Sequence, residues 1–312
     1  MAHRTGLTRR AALTGAAALP LAASLPQPLM AAAHGGEADK PIARTFTLGD
    51  LTVTAFLDGS AMRENPKGLF AKSASDAEFD ALSADNFVPT DRAQFYFTPS
   101  LVDTGNQLIL FDTGLGQGGI QKALAAAGFT PDAIDVVVIT HMHPDHIGGL
   151  MTDGAPTFAN ARYVTGAVEY NFWSGLEAGN RVGDMVAKLV TPLAEKMTFI
   201  DDGAAVAPGV TSIASFGHTP GHISFMLDSG GQQLVLTADL ANHYVWSFAR
   251  PDWGFSFDSD PEMASTSRRR VLGMLAADKM PMIGYHMPFP AAGYVEPRDD
   301  GFRYVPVSYQ LG

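Results

Sequence analysis

Apolar and polar side chains alternate through TFTLGDLTVTAFL (45–57) on both sides of Gly49-Asp50, which predicts a β-hairpin. FYFTPSLVDTGNQLILFDTG (95–114) predicts two more strands around the turn Thr104-Gly105-Asn106. GGIQKALAAAGF (118–129) has helical composition and ends at Gly128. IDVVVIT (134–140) is an unbroken apolar run, the mark of a strand covered on both faces. Beyond it the pattern predicts helices over 166–177 and 182–196, strands near 197–200, 210–216, 222–228 and 233–238, a helix over 261–276 and a short strand at 281–285. Residues 60–93 form a long mixed connection with one helical stretch at 75–84, a length typical of lids and pocket walls. The order implies two packed sheets with helices outside.

Composition fits one large domain. The 312 residues are 46% hydrophobic, with 32 Gly and 20 Pro. The first 33 residues stand apart. They carry arginines at 4, 9 and 10, no acid, an Ala/Leu-rich run broken by Pro20 and Pro26, and the small residues Ala31-Ala32-Ala33. This is the three-part form of an export signal, and Thr8-Arg9-Arg10 resembles a twin-arginine signal. The expected organisation is a signal at 1–33, a linker at 34–44 and a hydrolase domain at 45–312, with the protein exported to the periplasm. A disordered or membrane-tethering tail is the alternative for the first segment.

The formal charge is −11, and losing the first 33 residues would remove basic groups only. A strongly acidic surface argues against nucleic acid or an anionic membrane as partner. With no cysteine, any metal site must be built from His, Asp or Glu.

The chemistry concentrates in HMHPDH (141–146), directly after the 134–140 run. In extended chain, His141 and His143 point to one side. Pro144 suits the first turn of a short helix and sends Asp145 and His146 in a new direction. One loop of this kind can serve two metals but cannot complete either shell. Further candidate donors stand at or between predicted strands: His218 and His222 in SFGHTPGHIS, Asp239 in LTADLANH and His286 in IGYHMPFP.

HMHPDH resembles the HxHxDH signature of the metallo-β-lactamase superfamily, and His218, Asp239 and His286 follow in that family's order. The resemblance runs over about residues 45–290. It implies an α/β (α+β) fold, an αββα sandwich of two mixed sheets. It implies that His141, His143 and His218 hold one divalent ion, that Asp145, His146 and His286 hold another, and that Asp239 bridges them, with catalytic roles for Asp145 and Asp239. Zinc is the foremost candidate; Mn, Co and Fe suit the same donors. GHTPGH, FSFDSDPEMAS (255–265) and HMPFPAAGYVE (286–296) are similar to segments of the methyl-parathion-hydrolase-like group. That likeness implies a hydroxide shared by the two metals attacking a carboxylic ester, lactone or organophosphate triester. Where many members read Thr-Pro-Gly-His at the third-donor position, this chain has Ser215-Phe216-Gly217-His218.

His218 is preferred to His222 as the donor, with His222 a buried structural histidine. Asp112 is a candidate orienter of a donor histidine or a turn residue; His243 supports the site or is simply exposed. Trp173, Phe172 and Phe87 are the candidate substrate contacts, with Phe70 and Phe255 as further aromatic candidates. The expected substrate is small, neutral and apolar, and a homodimer stands open beside a monomer. The competing class is a one-iron persulfide-dioxygenase-type oxidoreductase on the same fold, with a non-catalytic metal-binding protein behind it. The absence of Cys and the bridging role of Asp239 point away from β-lactam hydrolysis.

Overall fold

The computed structural model describes residues 42–307. The signal expected at 1–33 and most of the 34–44 linker lie outside the described residues. The first strand, Ala43–Leu48, already starts within the expected linker.

Two seven-stranded mixed sheets face each other. The first runs Ala43–Leu48, Leu51–Phe56, Ser100–Asp103, Leu108–Phe111, Val136–Ile139, Arg162–Gly166 and Met197–Ile200; its last four strands are parallel. The second runs from Ala205–Ala207 through Ile223–Ser229, Gln232–Ala238 and Met282–Gly284 to Gly301–Pro306; it is antiparallel except between Gln232–Ala238 and Met282–Gly284. This is the expected αββα sandwich.

Val136–Ile139 shows why the sequence produces it. Val136 and Val138 enter a core shared with Phe225 and Leu236 of the opposite sheet, while Val137 and Ile139 pack under Leu124, Trp173 and Val186 of the outer helices. All four are fully buried. Burying each such side chain contributes roughly 1.5–3 kcal/mol. Phe111 and Phe225 meet edge to face across the sheets at 5.1 Å.

Several expectations need adjusting. The stretch 95–114 is three strands, not two. Thr98-Pro99 breaks it, and Arg92–Phe97 pairs away from the main sheet with Gly59–Glu64. The helix expected over 182–196 is α-helical only over Arg181–Leu189; the run with Pro192 continues as a 3-10 helix. The hairpin Ala292–Arg298/Gly301–Pro306, which extends the second sheet, is an addition to the predicted elements.

Candidate metal centre

The chemistry-bearing residues all follow strand ends on one edge of the sandwich. His141 comes two residues after Val136–Ile139, Asp239 directly after Gln232–Ala238, and His286 two after Met282–Gly284. His218 sits in the loop after Val210–Ala214. The backbone N–H of Ile223 donates to Thr140 O at 3.1 Å and joins the two sheets beside the site. Pro144 opens the short helix Pro144–Ile147, with His143 extended before it. The HMHPDH loop therefore turns as its sequence implies.

Two groups of donors result. Ligand-type atoms of His141, His143, His218 and Asp239 lie within 4.8 Å of one another, as do those of Asp145, His146 and His286. Asp239 faces both groups. Its Oδ2 is 3.3 Å from His218 Nε2 and 2.9 Å from His286 Nε2, while Oδ1 is 3.2 Å from His146 Nε2. Asp145 Oδ2 lies 3.6 Å from His146 Nε2 and 3.5 Å from His286 Nε2.

The far side of each ring fixes what the near side can do. His146 Nδ1 donates to Asp112 Oδ2 at 2.8 Å, His218 Nδ1 to Asp258 Oδ1 at 2.9 Å, and His286 Nδ1 to the carbonyl of Tyr96 at 2.6 Å. Thr140 Oγ1 gives its proton to Asp112 Oδ2, so it accepts from His141 Nδ1 at 3.1 Å. In these four rings Nε2 is left with its lone pair toward the common centre. His146 Nε2 and Asp239 Oδ1 are buried and have no hydrogen-bond partner. Buried polar atoms are rarely left so, and a divalent cation satisfies lone pairs and carboxylates together. The donor set fits two such ions.

The electrostatics agree. Burial, reinforced by neighbouring histidines, holds His141 and His143 well below the usual histidine range. Burial also opposes charge on His146 and His218, yet carboxylates prevail. Asp239, Asp112 and Asp145 hold His146 well above its ordinary value, and bonds to Asp239 and Asp258 bring His218 up to about 9. Asp239 is held well below the carboxylate range by His286 and His146 despite burial. Protons and divalent cations compete for the same lone pairs, so ion binding releases protons.

The supporting residues sort cleanly. Asp112, held at φ 63°, is buried and also accepts from Thr140 N at 2.8 Å. His222 stands outside both donor groups. Its Nε2 accepts from Asp239 N at 3.0 Å and its Nδ1 faces Ser215, so it fixes the backbone of Asp239. His243 is neither exposed nor in contact with the donors. It lies in an aromatic cluster, stacked on Trp246 at 3.8 Å, with Nδ1 accepting from Val245 N and Trp246 N. Burial brings it down to about 3.

Four further supports are recognised only from contacts that the fold creates. Glu169 is buried and accepts from Met142 N, Trp173 Nε1, Thr219 Oγ1 and Gly221 N, clamping the HMHPDH loop to the GHTPGH loop. Asp258 lies in FSFDSDPEMAS, a segment conspicuous in the sequence, but its bond to His218 is visible only in the fold. Buried Arg268 reaches Asp258 Oδ2 at 3.4 Å and donates to the carbonyls of Leu240 and Pro251. Tyr285 donates to Asp145 O at 2.5 Å and packs its ring 3.9 Å from that of His146.

A cavity of about 650 Å³ opens onto His143, Asp145, Asp239 and His286. Its aromatic walls are Phe70, Phe95, Phe97, Phe255 and Phe257. The three aromatic residues put forward first as substrate contacts are elsewhere. Trp173 lies behind His143, its indole N–H occupied by Glu169 at 2.7 Å. Phe172 points outward, edge-on to Trp173. Phe87 is 96% exposed at φ 56°, where the chain turns after the helix Asp76–Asp85. Phe70 and Phe255 do line the cavity.

The metallo-beta-lactamase superfamily model matches residues 98–286, more than half of the chain and all seven donors. The chain belongs to the metallo-beta-lactamase superfamily. Among curated proteins it is 28% identical to the N-acyl homoserine lactonase AiiA of Bacillus thuringiensis subsp. kurstaki, over 199 residues that cover 58% of this chain and 73% of that one. Among solved structures it is similar to AidC, described as a dizinc quorum-quenching lactonase, with a TM-score of 0.81 and 29% identity over 87% of this chain and 100% of that one. The hydrolase AbOPH of the same superfamily matches with a TM-score of 0.80 and 25% identity over 87% and 99%. Family, donor set and relatives together make this chain a metal-dependent hydrolase.

Proposed function

We propose that this superfamily member hydrolyses a small carboxylic ester or lactone with an apolar body, using two divalent ions, zinc foremost. The observation that carries the reading is the meeting of the apolar cavity with the donors Asp145, Asp239, His143 and His286. The lactonase activity named for AiiA and AidC supports it.

His141, His143 and His218 would hold one ion and Asp145, His146 and His286 the other, with Asp239 between them. When bound, such ions lower the pKa of water to near neutrality and polarise a carbonyl. The chain's own part is positioning. Asp112, Asp258 and Tyr96 O hold three donor rings at fixed tautomer, and Tyr285 anchors the backbone of Asp145. Asp145 is the carboxylate of the site more open to the cavity, with its side chain 20% exposed against 3% for Asp239. It is placed to move a proton between water and the departing alkoxide. The aromatic walls exclude bulk water from the reacting group. An organophosphate triester would present its P=O group to the same donors. A one-iron oxidoreductase would leave Asp145, His146 and His286 without a use, although Asp112 and Tyr285 both brace that group. The twin-arginine-like first segment supports export to the periplasm.

A substrate panel tests the reading: acyl-homoserine lactones, aryl esters, paraoxon-type triesters and a β-lactam, with purified zinc-loaded protein. Fastest turnover of a lactone or ester, two ions per chain, and loss on chelation with recovery on zinc addition are expected. One iron per chain with oxygen uptake, or no hydrolysis anywhere in the panel, would overturn it.

A further inference from the structure

Arg63 and Arg181 stand on the walls of the same cavity, and its other charged wall residues, Asp145 and Asp239, belong to the donor set. Arg63 lies on Gly59–Glu64, paired opposite Ala93. Arg181 is the first residue of Arg181–Leu189, after the cap Asn180. Neither guanidinium has a hydrogen-bond or ion-pair partner among the described residues. Several other arginines pair with acids, Arg268 with Asp258, Arg269 with Asp252 and Asp300, and Arg303 with Glu296, while Arg298, likewise without a partner among the described residues, is not on this cavity. The nearest acids in sequence do not serve. Glu64, next on the strand, faces the other way by alternation. Asp184 accepts from Gly179 N at 3.0 Å.

The placement runs against the local electrostatics. A cation in the first turn of a helix meets the positive end of the macrodipole, where acids are favoured. In a chain of net charge −11, two unpaired arginines at one cavity are not a by-product of a basic surface. Leu69, Phe257, Val182 and Met185 are among the apolar wall residues, and Arg63 lies three positions along its strand from Ser60, the partner of Tyr96, whose carbonyl holds His286. A ligand whose scissile group lies at Asp145 meets hydrocarbon walls and, in the same cavity, two exposed guanidinium groups. The neutral substrate expected from the sequence matches the inner walls and leaves both cations unused.

We propose that Arg63 and Arg181 select substrates carrying a carboxylate at the far end of the acyl chain from the bond that is cleaved. The inference rests on the ester or lactone reading and names the substrate class within it. Arginine binds carboxylates by paired, charge-assisted hydrogen bonds.

The test compares p-nitrophenyl hexanoate with the p-nitrophenyl monoester of adipic acid, equal in chain length and different only at the terminus, on zinc-loaded full-length protein. The wild type is expected to favour the adipate ester by about tenfold in kcat/KM, through KM, with the preference shrinking as salt is raised to about 0.5 M. Arg63→Gln with Arg181→Gln should bring the ratio to about one, and the double Glu variant should invert it. Because both substrates are read on one sample, a misfolded fraction cancels. Equal kcat/KM for the two esters in the wild type, or a preference that survives the double Gln change, would overturn the inference. If neither ester is cleaved, the non-cleavable pair adipic monoamide and hexanamide is titrated by ligand-observed NMR. Discrimination that the double Gln variant loses would then sustain the arginine assignment while the hydrolase reading fails; equal binding would overturn the assignment itself.

Discussion

His146 Nδ1 donates to Asp112 Oδ2 at 2.8 Å, and the opposite nitrogen of the same ring is buried without a partner. One bond thus fixes both the tautomer and the aim of a proposed metal donor. Asp112→Asn removes a carboxylate oxygen that also receives the hydroxyl of Thr140. The variant is expected to lose roughly 10–100-fold in affinity for its more weakly held ion. Metal analysis after dialysis against graded chelator checks this; two ions retained as in the wild type would show that Asp112 does not orient the ring.

Glu169 receives four hydrogen bonds from two loops and one helix while buried from solvent. Glu169→Ala leaves all four donors unsatisfied and is expected to cost about 3–5 kcal/mol of stability, the scale for breaking a buried charged network. Glu169→Gln keeps the shape and should cost less. Urea unfolding of both variants measures the order.

Phe257 lines the cavity but is 60% exposed, whereas Phe87 is 96% exposed and away from it. Phe257→Ala is expected to raise KM for an apolar ester by roughly threefold to tenfold, in line with a partly buried ring. Phe87→Ala should leave KM within about twofold. Equal effects from the two changes would move the substrate path.

Burial brings His243 down to about 3 from an ordinary value of 6.5. Between those values the unfolded chain carries a proton that the folded chain does not, so acidification favours unfolding. The stability due to this neutral ring is present above pH 6.5 and is lost as pH falls toward 3. Moving from pH 7 to 5 should cost about 2 kcal/mol from this group. His243→Asn, which can still accept from the backbone of Val245 and Trp246, is expected to flatten that limb. Denaturation midpoints of both proteins at the two pH values decide it.

Much of the centre was readable in advance because its signals are local. IDVVVIT predicts a doubly covered strand, and HMHPDH at its end calls for donors from elsewhere in the chain; the fold brings His218, Asp239 and His286 to it. The preference for His218 over His222 agrees with their positions, since only His218 joins a donor group. What stayed hidden depends on contacts distant in sequence. Glu169 sits in the first turn of the helix Ala167–Ser174 and meets residues 50 and 52 positions away. Asp258 meets His218 across 40. The aromatic candidates failed for a related reason: ring chemistry is legible, but which side of a helix or turn faces a cavity is a tertiary fact. Trp173 sits on an outer helix with its ring turned inward to the sheet, and Phe87 follows a helix end that turns it out to solvent.

His286 reaches through its far nitrogen to the carbonyl of Tyr96, on a strand whose neighbours Phe95 and Phe97 line the cavity. Wall and reactive centre therefore share one peptide unit. Exchanging Phe95 or Phe97 for another side chain re-letters the wall and keeps the carbonyl in place. Inserting or deleting a residue between Arg92 and Phe97 would reverse which rings look inward and pull the anchor from His286. Diversification of this enzyme's substrate range, in nature or in the laboratory, is thus free in spelling along that strand and tightly constrained in spacing.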